Sequence, residues 1–229
     1  MMSLISIGVQ PGDEVILPNR TWIATAHAVH LLGGKVVLVD VEPDRPVMDV
    51  TLIEQAVTLH TKAIIPVHVN GRSTDMRAIK SIAEKNDLFV IEDAAQAHGA
   101  EWNGNKVGGI GSGGCFSFQT SKNMTAGEGG IIVSNNEPFI DSCFSYYNCG
   151  RVRRGEWYEH RHLGGNFRMS AIQAAVLIPQ LDSLNHFLTV RESNRKMLDS
   201  AISMIDGITP TEQYSGVTLS LIHISEPTR

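Results

Sequence analysis

Two hydrophobic patterns alternate along the first hundred residues. Short apolar runs rich in Val, Ile and Leu are typical of buried strands, and between them apolar residues recur at the spacing of one helix face. This alternation predicts βαβ units around a mostly parallel sheet with helices on both faces, so the fold class is α/β. The predicted strands are 14–17, 35–39, 63–67 and 88–91, and the predicted helices are 24–32, 50–57 and 76–85, the last two behind the N-cap candidates Asp49 and Asp75.

Glycine becomes frequent in the middle of the chain. Ten of the 21 glycines lie in residues 99–130, around a single predicted strand at 115–118. Backbone in this segment is expected to turn tightly or to approach another part of the molecule closely. The pattern then predicts a strand at 131–134, a helix at 137–147, a polar arginine-rich loop at 149–166, and two helices, 170–181 and a longer one ending near 204.

Composition excludes several classes of protein. The chain has 229 residues, of which 42% are hydrophobic and 19% charged, and its net charge is −5. This charge has the wrong sign for a sequence-independent nucleic-acid binder, and no apolar run approaches the roughly 20 residues of a membrane helix. We read no signal peptide, and the three cysteines form no C-x-x-C pair, so a cytoplasmic protein with reduced thiols and no structural zinc is expected.

Two side chains are candidates for catalysis. Asp93 ends an apolar strand, and ligands of open α/β sheets gather at the carboxyl ends of strands, although a turn cap would look the same. Lys122 is the only lysine between Lys106 and Lys196, and it lies in a glycine-rich loop. A partly desolvated amine has a lowered pKa and suits carbonyl chemistry, whereas a solvated loop lysine has no such role.

Other candidates are weaker when taken singly. Ser117 and Lys122 place a hydroxyl and an amine in one short segment, and Trp22 could stack on a flat ring or belong to the core. His160 and His162 form a poor zinc signature. His68 and His98 fit structural roles, and the exposed-loop arginines, which are Arg151, Arg153 and Arg154, fit either a phosphate site or a solvated surface.

In combination, five segments resemble one family. The chain is similar to DegT/StrS-type sugar aminotransferases, which depend on pyridoxal 5′-phosphate (PLP) and have fold type I. The resemblance covers about residues 7–205. It rests on Pro11-Gly12-Asp13-Glu14-Val15, Thr21-Trp22-Ile23-Ala24-Thr25, Ile91-Glu92-Asp93-Ala94-Ala95-Gln96-Ala97-His98-Gly99, Phe116-Ser117-Phe118 with Lys122-Asn123, and Gly127-Glu128-Gly129-Gly130.

The resemblance implies a role for each matching position. Lys122 would hold PLP covalently and shuttle the substrate proton, and Asp93 would pair with the pyridinium nitrogen. Gln96 would hydrogen-bond the phenolic oxygen of the ring, Trp22 would stack on its face, and Ser117 would bind the phosphate.

The resemblance also implies the assembly and the substrate class. Asn166 matches an asparagine that reaches the cofactor phosphate of a neighbouring subunit, so a homodimer with shared active sites is expected. The segments 157–160 and 163–166 look most like the aminocyclitol branch, which aminates inosose-type keto-cyclitols with glutamine or glutamate. A nucleotide-linked keto-sugar is the alternative acceptor. Less favoured alternatives are a PLP-dependent sugar dehydratase, whose aldimine lysine is replaced by histidine, and a non-catalytic relative.

The same comparison predicts the domain organisation. Residues 1–205 are expected to form a partial PLP-binding large domain, without the N-terminal phosphate-binding turn of full-length relatives. Residues 206–218 would begin a truncated C-terminal small domain. Residues 219–229 resemble a translated sequencing adapter and are excluded from fold reasoning. We therefore expect weak PLP binding and poor turnover from this chain.

Overall fold

A computed structural model describes residues 1–219 and shows a six-stranded sheet. Its strands are β1 Glu14–Pro18, β2 Lys35–Val39, β3 Thr61–Ile64, β4 Phe89–Asp93, β7 Gly113–Ser117 and β8 Gly130–Val133. Their order in the sheet is β2-β1-β3-β4-β7-β8; the first five are parallel, and β8 runs antiparallel to β7. The predicted α/β class with a mostly parallel sheet is confirmed. Apart from Leu219, the adapter-like tail lies outside the described residues.

Apolar side chains cover both faces of the sheet. Successive residues of a strand point to opposite faces, and along β1 Val15 and Leu17 join one buried cluster whereas Ile16 joins the other. In β4, Ile91 and Val90 divide in the same way. Helices on both sides explain why these strands are apolar at consecutive positions.

Six α-helices surround the sheet. They are α1 Met2–Ser6, α2 Ala24–His30, α3 Ile53–Ala56, α4 Met76–Lys85, α5 Glu137–Tyr147 and α6 Ala171–Ile202. Helices α1, α2 and α5 contribute to the cluster that contains Val15, and α3 and α4 contribute to the cluster that contains Ile16. Within residues 1–219, no helix combines the length and the apolarity needed to cross a membrane.

Two predicted helix N-caps are confirmed. The Asp75 carboxylate accepts a hydrogen bond from the Ala78 amide (2.9 Å) at the start of α4, and Asp49 accepts one from the Thr51 amide (2.9 Å). Asp49 precedes a short 3-10 helix, Val50–Leu52, that leads into α3. The element predicted at 50–57 is therefore two short helices.

The prediction of two C-terminal helices was wrong, because α6 is a single helix of 32 residues with Pro179 inside it. Proline removes one backbone donor, but Leu177 and Leu184 on either side of it pack into the same cluster with Phe118. Burial of this shared face stabilises the helix on both sides of Pro179.

The glycine-rich segment holds more structure than the single predicted strand. Two-residue strands β5, Glu101–Trp102, and β6, Asn105–Lys106, form a hairpin. Its turn is Asn103-Gly104, and both residues have positive φ (47° and 77°), as a tight hairpin turn requires. A third strand, β9, Val217–Thr218, pairs with β5.

The expected close approach of backbone in this segment is confirmed at Gly114. A Cβ atom at this position in β7 would overlap the backbone of Gly108. Only glycine lets the two segments touch here.

The carboxylate of Glu92 holds this segment against β4. Glu92 is fully buried and accepts hydrogen bonds from the amides of Gly108 (2.6 Å), Ile110 (2.7 Å) and Gly111 (2.7 Å). His68 Nε2 supplies a fourth donor (3.0 Å), because its Nδ1 accepts from a backbone amide. Burial alone raises the pKa of Glu92, but these hydrogen bonds outweigh it and the net shift is downward.

We expect Glu92→Gln to destabilise the fold by about 2–4 kcal/mol, because one amide NH₂ would face N–H donors in a buried site. Urea unfolding at neutral pH measures the change. Because the folded-state pKa of Glu92 is lowered, its stabilisation is present above the ordinary glutamate pKa and is lost as the pH falls through the folded value. The difference between wild type and variant should therefore shrink in acid. Glu84→Gln, on the exposed face of α4, is the matched control, and an equal loss in both variants would contradict the assignment.

Candidate active site

The predicted site residues gather at the carboxyl edge of the sheet. Asp93 is the last residue of β4 and Ser117 is the last residue of β7. Trp22 follows β1, between that strand and α2. Neighbouring parallel strands end at the same edge, so the topology brings these side chains to one side of the molecule.

Hydrogen bonds orient the Asp93 carboxylate. Thr25 Oγ1 donates to Asp93 Oδ2 (2.7 Å), and the Ala95 amide donates to Oδ1 (3.2 Å). Thr21 lies 2.9 Å from Thr25 Oγ1, and since the Thr25 proton goes to Asp93, Thr21 is the donor in this pair. Sequence reasoning quoted this segment but assigned a role only to Trp22. The signal that was missed is a pair of threonines spaced by four residues where a helix begins.

Lys122 lies in the loop between β7 and β8 and is half-buried. Its amine makes no hydrogen bond or ion pair with another side chain among residues 1–219. Burial lowers the pKa of Lys122, and the negative charge of Asp93 partly opposes this shift. The carboxylate is thus within electrostatic reach of the amine.

Helix α6 holds the loop that carries Lys122. Gln180 Oε1 accepts from the Thr125 amide (2.8 Å), and Gln180 Nε2 donates to the Thr125 carbonyl (2.8 Å) and to the Val176 carbonyl (2.8 Å). Gln173 Nε2 donates to the carbonyl of Glu128 (3.0 Å). The loop is therefore pinned to one helix at two points that follow Lys122. Sequence reasoning gave no role to these glutamines.

The remaining predicted cofactor residues differ in their surroundings. Gln96 Oε1 accepts from the Asn70 amide (2.7 Å), and Ser117 Oγ accepts from the Gln119 amide (3.2 Å). The Trp22 side chain is 75% exposed. Asn166 is exposed, and its backbone forms an isolated β-bridge with Asn148 at the end of α5. The Asn166 side chain makes no hydrogen bond with the site residues above.

His98 is buried beside the Lys122 loop. Its ring packs against Phe116 (centroids 5.3 Å apart) and Phe118 (5.8 Å). Burial is the main cause of a lowered pKa of about 4 for His98. The positive charge of Lys122 adds to this effect, and a hydrogen bond with the backbone of Ser117 opposes it. The imidazole is therefore neutral at physiological pH and adds no charge near the amine.

The loop histidines and arginines have local partners. The His162 ring packs on Tyr146, and the His160 Nδ1 atom lies 2.8 Å from the Tyr158 carbonyl. Arg151 stacks over the ring of Trp157 (4.7 Å), while Arg153 and Arg154 pair with Asp141 and Glu137. Across the described part of the chain, no three His, Cys, Asp or Glu side chains converge as a metal site would need.

A half-buried amine within reach of a carboxylate, at the carboxyl edge of a mostly parallel sheet, is the arrangement of a fold type I PLP-dependent enzyme. Comparison with known proteins identifies the family. The chain belongs to the DegT/DnrJ/EryC1/StrS aminotransferase family, which it matches over residues 1–225. The family resemblance predicted from the motifs is confirmed.

Relatives with assigned substrates are similar over most of this chain. An L-glutamine:2-deoxy-scyllo-inosose aminotransferase of Streptomyces kanamyceticus is 37% identical over 228 residues, which is 95% of this chain and 53% of the relative. A UDP-2-acetamido-2-deoxy-3-oxo-D-glucuronate aminotransferase of Pseudomonas aeruginosa is 37% identical over 216 residues, covering 94% and 59%. The chain spans about half the length of the curated relatives it matches.

Solved structures share the fold. The crystal structure of DesV from S. venezuelae in complex with a ketimine intermediate has a TM-score of 0.92 and 34% identity, and the match covers 96% of this chain and 59% of DesV.

We expect Gln180→Leu to loosen the Lys122 loop, because it leaves the amide and carbonyl of Thr125 without their partner. Hydrogen exchange of residues 119–129, measured by mass spectrometry, should become at least several-fold faster. Gln55→Leu, at an exposed position of α3, should leave this exchange unchanged. Equal protection in wild type and Gln180→Leu would show that the pairing does not hold the loop.

We expect Asp93→Asn to lower the pKa of Lys122 further, because Asp93 is the charge that opposes the effect of burial. The pH dependence of acetylation at Lys122, followed by mass spectrometry without PLP, reports this pKa. Asp141→Asn, which removes an exposed carboxylate of α5, serves as the control. An unchanged Lys122 profile in Asp93→Asn would mean that the two groups do not interact.

Proposed function

We propose that this chain carries the cofactor site of a PLP-dependent aminotransferase that aminates a keto-cyclitol or keto-sugar, with glutamine or glutamate as amino donor. The observation that carries the proposal is the half-buried Lys122 amine, whose pKa is lowered by burial and raised by Asp93. An amine and a carboxylate in one site suit an aldehyde with a basic ring nitrogen. The amine can bind the aldehyde carbon, and the carboxylate can pair with the protonated nitrogen.

The residues present fit PLP. The Lys122 amine has no side-chain partner among residues 1–219, and the Ser117 hydroxyl has no acceptor within the same range. The indole of Trp22 is uncovered, as a stacking surface for a flat ring requires. Together with the oriented Asp93 carboxylate, these groups supply an amine, an acid, a hydrogen-bond donor for the phosphate and an aromatic face.

Each residue would have a distinct task in the transfer. PLP, when bound, supplies an electrophilic carbon and a ring that withdraws electrons from the substrate. Lys122 would hold it through Nζ, and its lowered pKa increases the fraction of neutral amine that can take a proton from the substrate and return it. Asp93, fixed by Thr25, would hold the protonated ring nitrogen. Gln96 and Trp22 would set the plane of the ring.

Two acceptor classes are supported by the relatives. The Streptomyces kanamyceticus relative is named for an inosose, and the loop segments 157–160 and 163–166 favour the same cyclitol class. The Pseudomonas aeruginosa relative is named for a UDP-linked sugar, so a nucleotide-linked keto-sugar is the second candidate. A sugar dehydratase is disfavoured because Lys122 is intact, and a non-catalytic role would give Lys122, Asp93 and Gln96 no common purpose.

We also propose a cytoplasmic homodimer in which Asn166 reaches the partner's site. Large apolar side chains near Asn166 in the sequence are exposed: Leu163 is 99% exposed, Phe167 58% and Ile172 80%. Their burial by a second copy would remove a sizeable apolar patch from water. Cys115, Cys143 and Cys149 form no disulfide bond, which suits a reducing compartment.

Borohydride reduction in the presence of PLP tests the central claim. Wild type should gain one irreversibly linked cofactor on Lys122, located by peptide mass spectrometry. Lys122→Ala should lose the adduct, and Lys106→Ala should keep it, since Lys106 is an exposed lysine paired with Glu101. PLP is supplied in excess to allow for weak binding. Labelling spread over several lysines, or retained in Lys122→Ala, would overturn the proposal.

A further inference from the structure

The guanidinium of Arg72 is a cation without an ion-pair partner among the described residues. Among residues 1–219, its guanidinium makes no hydrogen bond or ion pair, and its Nε atom is buried with no acceptor. The residue is half-buried. Guanidinium groups in such positions are normally paired, because a desolvated charge without a partner is costly. An unpaired arginine of this kind is therefore a candidate for binding an anion.

A tight turn presents Arg72 at the carboxyl edge of the sheet. The 3-10 helix Val69–Gly71 follows β3, and both Asn70 (φ 53°) and Gly71 (φ 79°) adopt positive φ. The Asn70 amide donates to Gln96 Oε1, and the Arg72 amide donates to the Val69 carbonyl (3.0 Å). The turn that carries Arg72 is thus attached to a residue of the proposed cofactor site.

Two other arginines, of which one is uncompensated, act electrostatically on Arg72. Burial lowers the pKa of Arg72, nearby Arg195 and Arg20 lower it further, and Asp199 opposes them. Arg195 is compensated by its own pairs with Glu192 (2.7 Å) and Asp199. Arg20, which follows β1 two residues before Trp22, is exposed and has no ion pair within the described residues. The two uncompensated cations therefore lie on loops after adjacent strands, β1 and β3.

We propose that Arg72, with Arg20, forms a subsite for an oxyanion of the substrate, either a carboxylate or a phosphate. The planar guanidinium fork matches both groups. This inference rests on the proposed function, in which the amino donor brings a carboxylate and a nucleotide-linked acceptor would bring a diphosphate. The phosphate of PLP is a separate group, because its proposed partner Ser117 ends β7, two strands away from β3.

Calorimetric titration distinguishes the sources of the anion. The probes are L-glutamine with L-glutaminamide, which lacks the carboxylate, and UDP with uridine, which lacks the phosphates. Wild type should bind glutamine or UDP more tightly than the matching control compound. Arg72→Ala should weaken that binding roughly tenfold or more, as loss of a charge-assisted hydrogen bond predicts. Arg72→Lys should restore part of it, and Arg77→Ala, an exposed arginine of α4, should have no effect.

Preference for glutamine assigns the subsite to the donor, and preference for UDP assigns it to the acceptor. Affinities within about twofold of wild type in Arg72→Ala, or a loss of PLP affinity alone, would overturn the inference. If Arg72→Ala unfolds, Arg72→Gln replaces it, since glutamine keeps a planar polar group without the charge. The titrations are run with and without PLP, so failure of PLP uptake, which counts against the proposed function, leaves the anion measurement intact.

Discussion

The buried carboxylate of Glu92 is the constraint on which the site depends. Glu92 and Asp93 are consecutive in β4, so their side chains point to opposite faces of the sheet. Glu92 collects four hydrogen-bond donors and cannot rotate without leaving them unpaired. Fixing Glu92 in this way also fixes the direction in which Asp93 faces Lys122. One strand thus places both the structural carboxylate of Glu92 and the proposed functional carboxylate of Asp93.

The amine is positioned by different means from the carboxylate. Asp93 belongs to a central strand, whereas Lys122 belongs to a loop whose geometry depends on distant residues of α6. The long, uninterrupted helix therefore supports the proposed site, although none of its side chains makes a hydrogen bond with Asp93. Its continuity through Pro179 allows Leu177, Gln180 and Leu184 to act on the loop together.

Local patterns predicted a large part of this architecture. Periodicity and capping, which are properties of neighbouring residues, predicted the helix at 76–85 with its cap Asp75, the helix at 137–147 and the first four strands of the chain. The short helix α1 and the two-residue strands escaped prediction because they contain too few residues to show a period. Lys122 and Asp93 were assigned to the candidate site through their motifs. Thr25, Gln180 and Arg72 were not, because their roles depend on partners 52 to 68 positions away, which no local pattern encodes.

The backbones of Gly108 and Gly114 touch directly, with no side chain between them. This contact sets how far β7 stands from the segment that wraps Glu92, and Lys122 follows β7 by only five residues. A single added methyl group at 114 would push the strand outward and move the loop with it, which would change the separation of Lys122 from Asp93 without removing any polar group. The geometry of the proposed site is thus sensitive to a position that has no side chain at all.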